Sequence, residues 1–90
     1  MIFKYKTYEW DDNNIDHILR HKVSPNEVEE ACYNDPLTLR GKEGRYLVYG
    51  KSDAGRYLFI VLVEKGHGVI RIITARDMEE KDRKLYNRKK

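Results

Sequence analysis

Apolar and polar positions change their spacing along this chain, and each change marks an element. Between residues 2 and 10, Phe3 and Tyr5 alternate with Lys4 and Lys6, the period of a half-buried strand whose lysines protect an edge. Asp11 or Asp12 then caps a helix with Ile15, Ile18 and Leu19 on one face. Ser24-Pro25-Asn26-Glu27 predicts a second helix start. Ser24 is the N-cap, Pro25 occupies the first helical position and Glu27 completes a capping box. That helix carries Val28, Ala31 and Cys32 and stops near Asn34, because Pro36 disfavours helical geometry at Asp35.

Beyond Pro36 the period becomes that of strands. Residues 37–39 predict a short strand, and 45–51 and 57–64 predict longer ones joined by a turn at Ser52-Asp53-Ala54-Gly55. Lys65-Gly66-His67-Gly68 predicts the next turn and 69–75 the next strand. The last two strands are apolar on both faces, which places them centrally in a sheet. Asp77-Met78-Glu79-Glu80 reads as another capping box opening a terminal helix, followed by a solvated Arg88-Lys89-Lys90 tail. The order is one strand, two helices, three or four strands and a helix, an α+β pattern without repeats or linkers.

Ninety residues predict a single domain with a thin core, burying about 60–65% of the surface the unfolded chain exposes. No stretch reads as a signal peptide or a membrane span, since the apolar run 57–63 is far below the ~18 residues a spanning helix needs. A lone cysteine, Cys32, forms no internal disulfide, which suits a reducing cytoplasm. The net charge of +3 is unevenly spread. Residues 1–36 hold four basic groups against eight acidic ones, a charge of −4, whereas residues 37–90 hold fourteen against seven, a charge of +7. A basic C-terminal portion favours a polyanion such as RNA or DNA.

Particular words stand at particular places in this order. Tyr8-Glu9-Trp10-Asp11, Arg20-His21-Lys22-Val23-Ser24, Asn34-Asp35-Pro36, Ala54-Gly55-Arg56-Tyr57-Leu58 and Ile70-Arg71-Ile72-Ile73-Thr74-Ala75-Arg76, with Glu80 and Tyr86 behind them, together resemble the BrnT family of ribonuclease toxins. The Ile70–Arg76 segment is the most specific of these words. Two departures stand out: Lys22 replaces the family's usual glycine after His21, at a turn that favours positive φ. The stretch between Pro36 and Arg45 is also shorter than the family's and lacks its acidic, histidine-containing segment. The resemblance implies that residues 1–90 form one RelE-like domain, with two N-terminal helices packed on an antiparallel sheet of four to five strands and a C-terminal helix. It further implies metal-independent RNA cleavage without a cofactor, in a bacterial toxin–antitoxin pair. The implied partner is a ribbon-helix-helix antitoxin that neutralises the toxin and carries DNA binding for both.

Metal-free RNA cleavage requires activation of the ribose 2′-OH, stabilisation of phosphorane charge and protonation of the 5′-oxygen. Arginine suits the charge, because its planar donors match phosphate oxygens. Arg45, Arg56, Arg71 and Arg76 stand at strand positions or ends, and they are the expected phosphate contacts together with Lys51. Arg71 and Arg76 are five residues apart, so a regular strand sends them to opposite faces unless a bulge intervenes. The alternative for each arginine is an ion pair, for example with Glu9, Glu64 or Glu80. General acid and base candidates are His21, Lys51, Tyr86, Glu80 and His67, and His21 has the best-matched ordinary pKa.

Three other signals carry no chemistry. His17 and His21 share a helical face but lack a third metal ligand. Gly50-Lys51-Ser52 resembles the end of a phosphate-binding loop, yet Gly44 stands one residue too far upstream. Cys32, on the face of Val28, reads as core rather than nucleophile. The rival reading is a non-catalytic RNA-binding or partner-binding module on the same fold.

Overall fold

The computed structural model describes residue 3 and residues 6–90. Their elements are β1 (Thr7–Glu9), α1 (Asp12–Leu19), α2 (Pro25–Tyr33), β2 (Leu37–Arg40), β3 (Arg45–Lys51), β4 (Tyr57–Gly66), β5 (Val69–Asp77) and α3 (Glu80–Lys89). Of the strand expected over 2–10, Thr7–Glu9 forms β1, and residues 1, 2, 4 and 5 lie outside the described residues. Both helix starts use their predicted caps. The Asn14 N–H donates to the Asp11 carboxylate, and the Glu27 N–H donates to the Ser24 hydroxyl while Glu27 accepts from the Ser24 N–H. Leu19 is not core: it is 52% exposed, because this short helix buries the line Asn14–Ile18 and Leu19 points around from it.

The strands lie in the order β1-β5-β4-β3-β2. β2 to β5 pair antiparallel in sequence, whereas β1 runs parallel to β5, with Thr7 opposite Val69 and Glu9 opposite Arg71. The sheet is therefore mixed rather than wholly antiparallel. The hairpin signals speak only for β3–β5; β1 meets β5 across nearly the whole chain, where no tight turn fixes direction. The β4–β5 turn sets His67 and Gly68 at φ +55° and +76°, the backbone of a two-residue hairpin that follows the sheet's twist.

One face of the sheet is covered by the N-terminal helices, α1 against β5 and α2 against β3 and β4. Val48, Leu58, Ile60, Leu62, Ile70, Ile72 and Ala75 meet Ile18, Val23, Val28, Ala31 and Cys32 there, all fully buried. Gly50 permits the close approach of α2: a Cβ at that position would stand 2.5 Å from the Ala31 carbonyl oxygen. The opposite face carries the alternate residues, with Leu47 beside Val61 and Tyr49 beside Phe59.

The C-terminal helix begins later than expected. β5 continues to Asp77, and the reach-back bond runs from the Glu79 N–H to the Asp82 carboxylate at 2.8 Å. Asp77 serves no cap because its carboxylate is held by Arg56.

Candidate functional site

Arg56 follows the β3–β4 turn and reaches the corner between α1 and α2. Its Nε donates to Asp77 Oδ1 at 2.7 Å, and its Nη1 donates to the Lys22 carbonyl at 2.7 Å and to Glu27 Oε1 at 3.1 Å. Its Nη2 donates to Asp77 Oδ2 at 3.1 Å and to the His21 carbonyl at 3.4 Å. Lys22 adopts φ +59°, the conformation expected of a glycine position. The guanidinium holds the Asp77 carboxyl below the usual range. Glu27 is lowered too, first by the Ser24 N–H and then by Arg56. Arg56 itself is raised by these bonds, Asp77 foremost. Every nitrogen of its fork is engaged with the protein.

Arg71 is held similarly at the other end of β5. Its Nη1 donates to Glu9 at 3.0 Å and to Asp11 at 2.9 Å, so it joins the parallel strand pair to the cap of α1. Arg71 first, and then the Asn14 N–H, lower the Asp11 carboxyl. A bulge lies between Val61 and Leu62, which face Thr74 and Ile72, leaving Ile73 as the extra residue. The bulge puts Arg71 and Arg76 on one face, opposite Val63 and Phe59 respectively. They share that face without sharing a site. Arg45, also opposite Val63 on β3, is exposed and has no ion pair among the described residues.

A different arrangement stands where α3 crosses the outer face. The Tyr57 ring has the Lys51 ammonium 5.3 Å from its centroid and the Arg83 guanidinium carbon 3.8 Å from it. Tyr86 packs edge-on against the same ring, with centroids 5.8 Å apart at 81°. Beside them Arg76 lies 4.5 Å over the Phe59 ring and donates to Asp82 at 2.8 Å. Burial pushes the Asp82 carboxyl up, but the Glu79 N–H and Arg76 more than offset it and the net shift is downward. Lys51 and Arg83 make no ion pair among the described residues. Rings rather than carboxylates position these two charges.

The remaining expected groups are dispersed. The His21 ring is exposed, 5.8 Å from the His17 ring, and His17 bonds the Thr74 hydroxyl at 2.9 Å. Glu80 is exposed and pairs with Lys84 at 3.6 Å. His67 stands in an exposed turn. Among the described residues no three His, Cys, Asp or Glu side chains are grouped to hold a metal ion. Cys32 is buried beside Tyr8, and burial pushes its thiol up to about 12. Lys51, Arg76 and Tyr86 are thus brought together, while Arg45, Arg56, Arg71, His21 and Glu80 lie elsewhere. Arg83 belongs with the first group and is absent from the sequence-based candidates. Its only sequence signal is the three-residue spacing to Tyr86, which puts both on one helical face.

Residues 10–82 match the family described as the ribonuclease toxin, BrnT, of type II toxin–antitoxin systems. No curated protein matches the sequence.

Proposed function

The chain belongs to the BrnT family of ribonuclease toxins of type II toxin–antitoxin systems, and from that premise we propose that it is a metal-independent endoribonuclease acting through Lys51, Arg76 and Tyr86. The family implies an RNA substrate and an antitoxin partner. The partner proposed here is of the ribbon-helix-helix class and binds DNA for the pair, and the place of action is the cytoplasm. No helix is long and apolar enough to cross a membrane among the described residues.

One observation carries the site assignment: Lys51 and Tyr86 meet around one tyrosine ring, and among the described residues no carboxylate neutralises the lysine. An unpaired ammonium on a strand end attracts a phosphate without first giving up an internal partner. In the proposed step the 2′-oxygen bonds to phosphorus, its proton leaves to a protein base, and the phosphorus–O5′ bond breaks with proton delivery to O5′. The products are a 2′,3′-cyclic phosphate and a 5′-hydroxyl. Lys51 and Arg76 stabilise the phosphorane charge, and the Tyr86 hydroxyl exchanges the proton. Arg56 and Arg71 are assigned to the fold, because each is gripped by two carboxylates that it must release to bind phosphate, whereas Arg76 is held by Asp82 alone.

The test is cleavage of RNA by the purified chain in EDTA. Cleavage with cyclic-phosphate ends is the expected result. Activity that vanishes with chelator and returns with a divalent ion contradicts the metal-free step, and RNA binding without cleavage favours the non-catalytic reading. Induced expression with and without a neighbouring antitoxin, reading growth and RNA integrity together, tests the toxin assignment.

A further inference from the structure

Arg83 differs from the other positioned arginines in what holds it. Its guanidinium carbon lies over the Tyr57 ring, 3.8 Å from the centroid, its side chain is exposed, and none of its donors has a side-chain acceptor among the described residues. Arg40, by contrast, gives a donor to the Tyr46 hydroxyl, and Arg56, Arg71 and Arg76 give theirs to carboxylates. A guanidinium with one face on a ring presents its other face to solvent as a flat cationic platform. A nucleobase stacks on such a plane, and the in-plane N–H groups remain free for a neighbouring phosphate. A base can reach that plane only when it has left its own stack, so the ligand chemistry is an unpaired nucleotide in single-stranded RNA. Lys51, 5.3 Å from the centroid of the same ring, adds a second positive charge for the adjoining phosphate.

We propose that Arg83, stacked on Tyr57, is a base-stacking subsite that selects single-stranded RNA beside the cleavage position. The inference rests on the ribonuclease reading above and goes beyond it in naming the strand state and the residue that recognises it.

The probe is a fluorescent twelve-nucleotide oligoadenylate with 2′-O-methyl riboses, which cannot be cleaved, used alone and annealed to its complement. The full chain should bind the single strand at least tenfold more tightly than the duplex. Arg83→Lys retains the charge but presents no plane. It should weaken single-strand binding about tenfold and duplex binding by less than threefold, at an unchanged melting temperature. Arg20→Ala, which removes an exposed charge at the end of α1, should leave both affinities unchanged. Single-strand binding by Arg83→Lys equal to that of the unaltered chain overturns the subsite, as does an equal loss on duplex and single strand. If the unaltered chain cleaves RNA while Arg83→Lys binds normally, only the subsite falls. If the unaltered chain neither binds nor cleaves RNA, the ribonuclease reading falls and the subsite with it.

Discussion

Two groups of cations occupy this small sheet, and they are positioned by opposite means. At the α1–α2 corner Arg56 is fixed by two carboxylates and two carbonyls, and its side chain is 26% exposed. Across the sheet, Lys51 and Arg83 are fixed against the Tyr57 ring, without a carboxylate partner among the described residues. The corner arginine has its charge balanced and its donors filled, so it contributes to stability. The ring-held cations keep their charge, because aromatic contact orients a cation without neutralising it, and that charge is what the proposed site uses. An arginine in a recognisable sequence word is thus assigned a role here by the partners that hold it.

Removing the corner arginine should have the largest effect on the fold. Arg56→Ala leaves the Glu27 and Asp77 carboxylates without their shared cation. It should destabilise by about 2–3 kcal/mol, the range for several charge-assisted hydrogen bonds at a partly exposed site. For a chain of this size that lowers the melting temperature by roughly 10–20 °C. Arg83→Ala should destabilise by less than about 1 kcal/mol, as expected of an exposed side chain whose one fixed contact is with a ring. A large loss from Arg83→Ala, or none from Arg56→Ala, breaks the comparison in thermal denaturation.

The acid limb of stability sharpens it. The folded pKa values of Asp77 and Glu27 are depressed, so their contribution is present above about pH 4 and is lost as pH falls through the folded values. Denaturation curves should therefore show stability declining below about pH 4, and Arg56→Ala should flatten that decline. An identical acid limb in both proteins would remove Arg56 from the linkage.

A smaller effect is expected at Ser24. Its hydroxyl caps α2 while its N–H and Arg56 share Glu27. Ser24→Ala should destabilise by about 1 kcal/mol. Combined with Arg56→Ala, the two losses should depart from additivity by about 0.5 kcal/mol, since both act on Glu27. Strict additivity in denaturant titrations would mean that cap and ion pair are independent.

Much of the fold was legible because it is local. The Ser24–Glu27 box, the bounds of β3 and the hairpins rest on neighbours in sequence. The parallel β1–β5 pair was not legible, since its partners lie at opposite ends of the chain. Nor was the α3 start, where Asp77 looks like a cap until Arg56 is seen to hold it. The site divides in the same way. Lys51 and Tyr86 could be suspected from residue type, and the bulge that turns Arg71 and Arg76 to one face was a stated condition. The identity of each arginine's partner depends on tertiary contact. Arg56 looks available as a sequence letter, and Arg83 acquires its distinction only from a tyrosine well upstream in β4.

The most direct test of the division compares Arg56→Lys with Lys51→Ala in single-turnover RNA cleavage, each rate divided by the folded fraction measured on the same preparation. Arg56→Lys should melt at a lower temperature yet cleave within about twofold of the unaltered chain, whereas Lys51→Ala should melt normally and cleave at least tenfold more slowly, a loss of roughly 1.4 kcal/mol or more. A tenfold slower Arg56→Lys beside a fully active Lys51→Ala would contradict the account and move the chemistry to the helix corner.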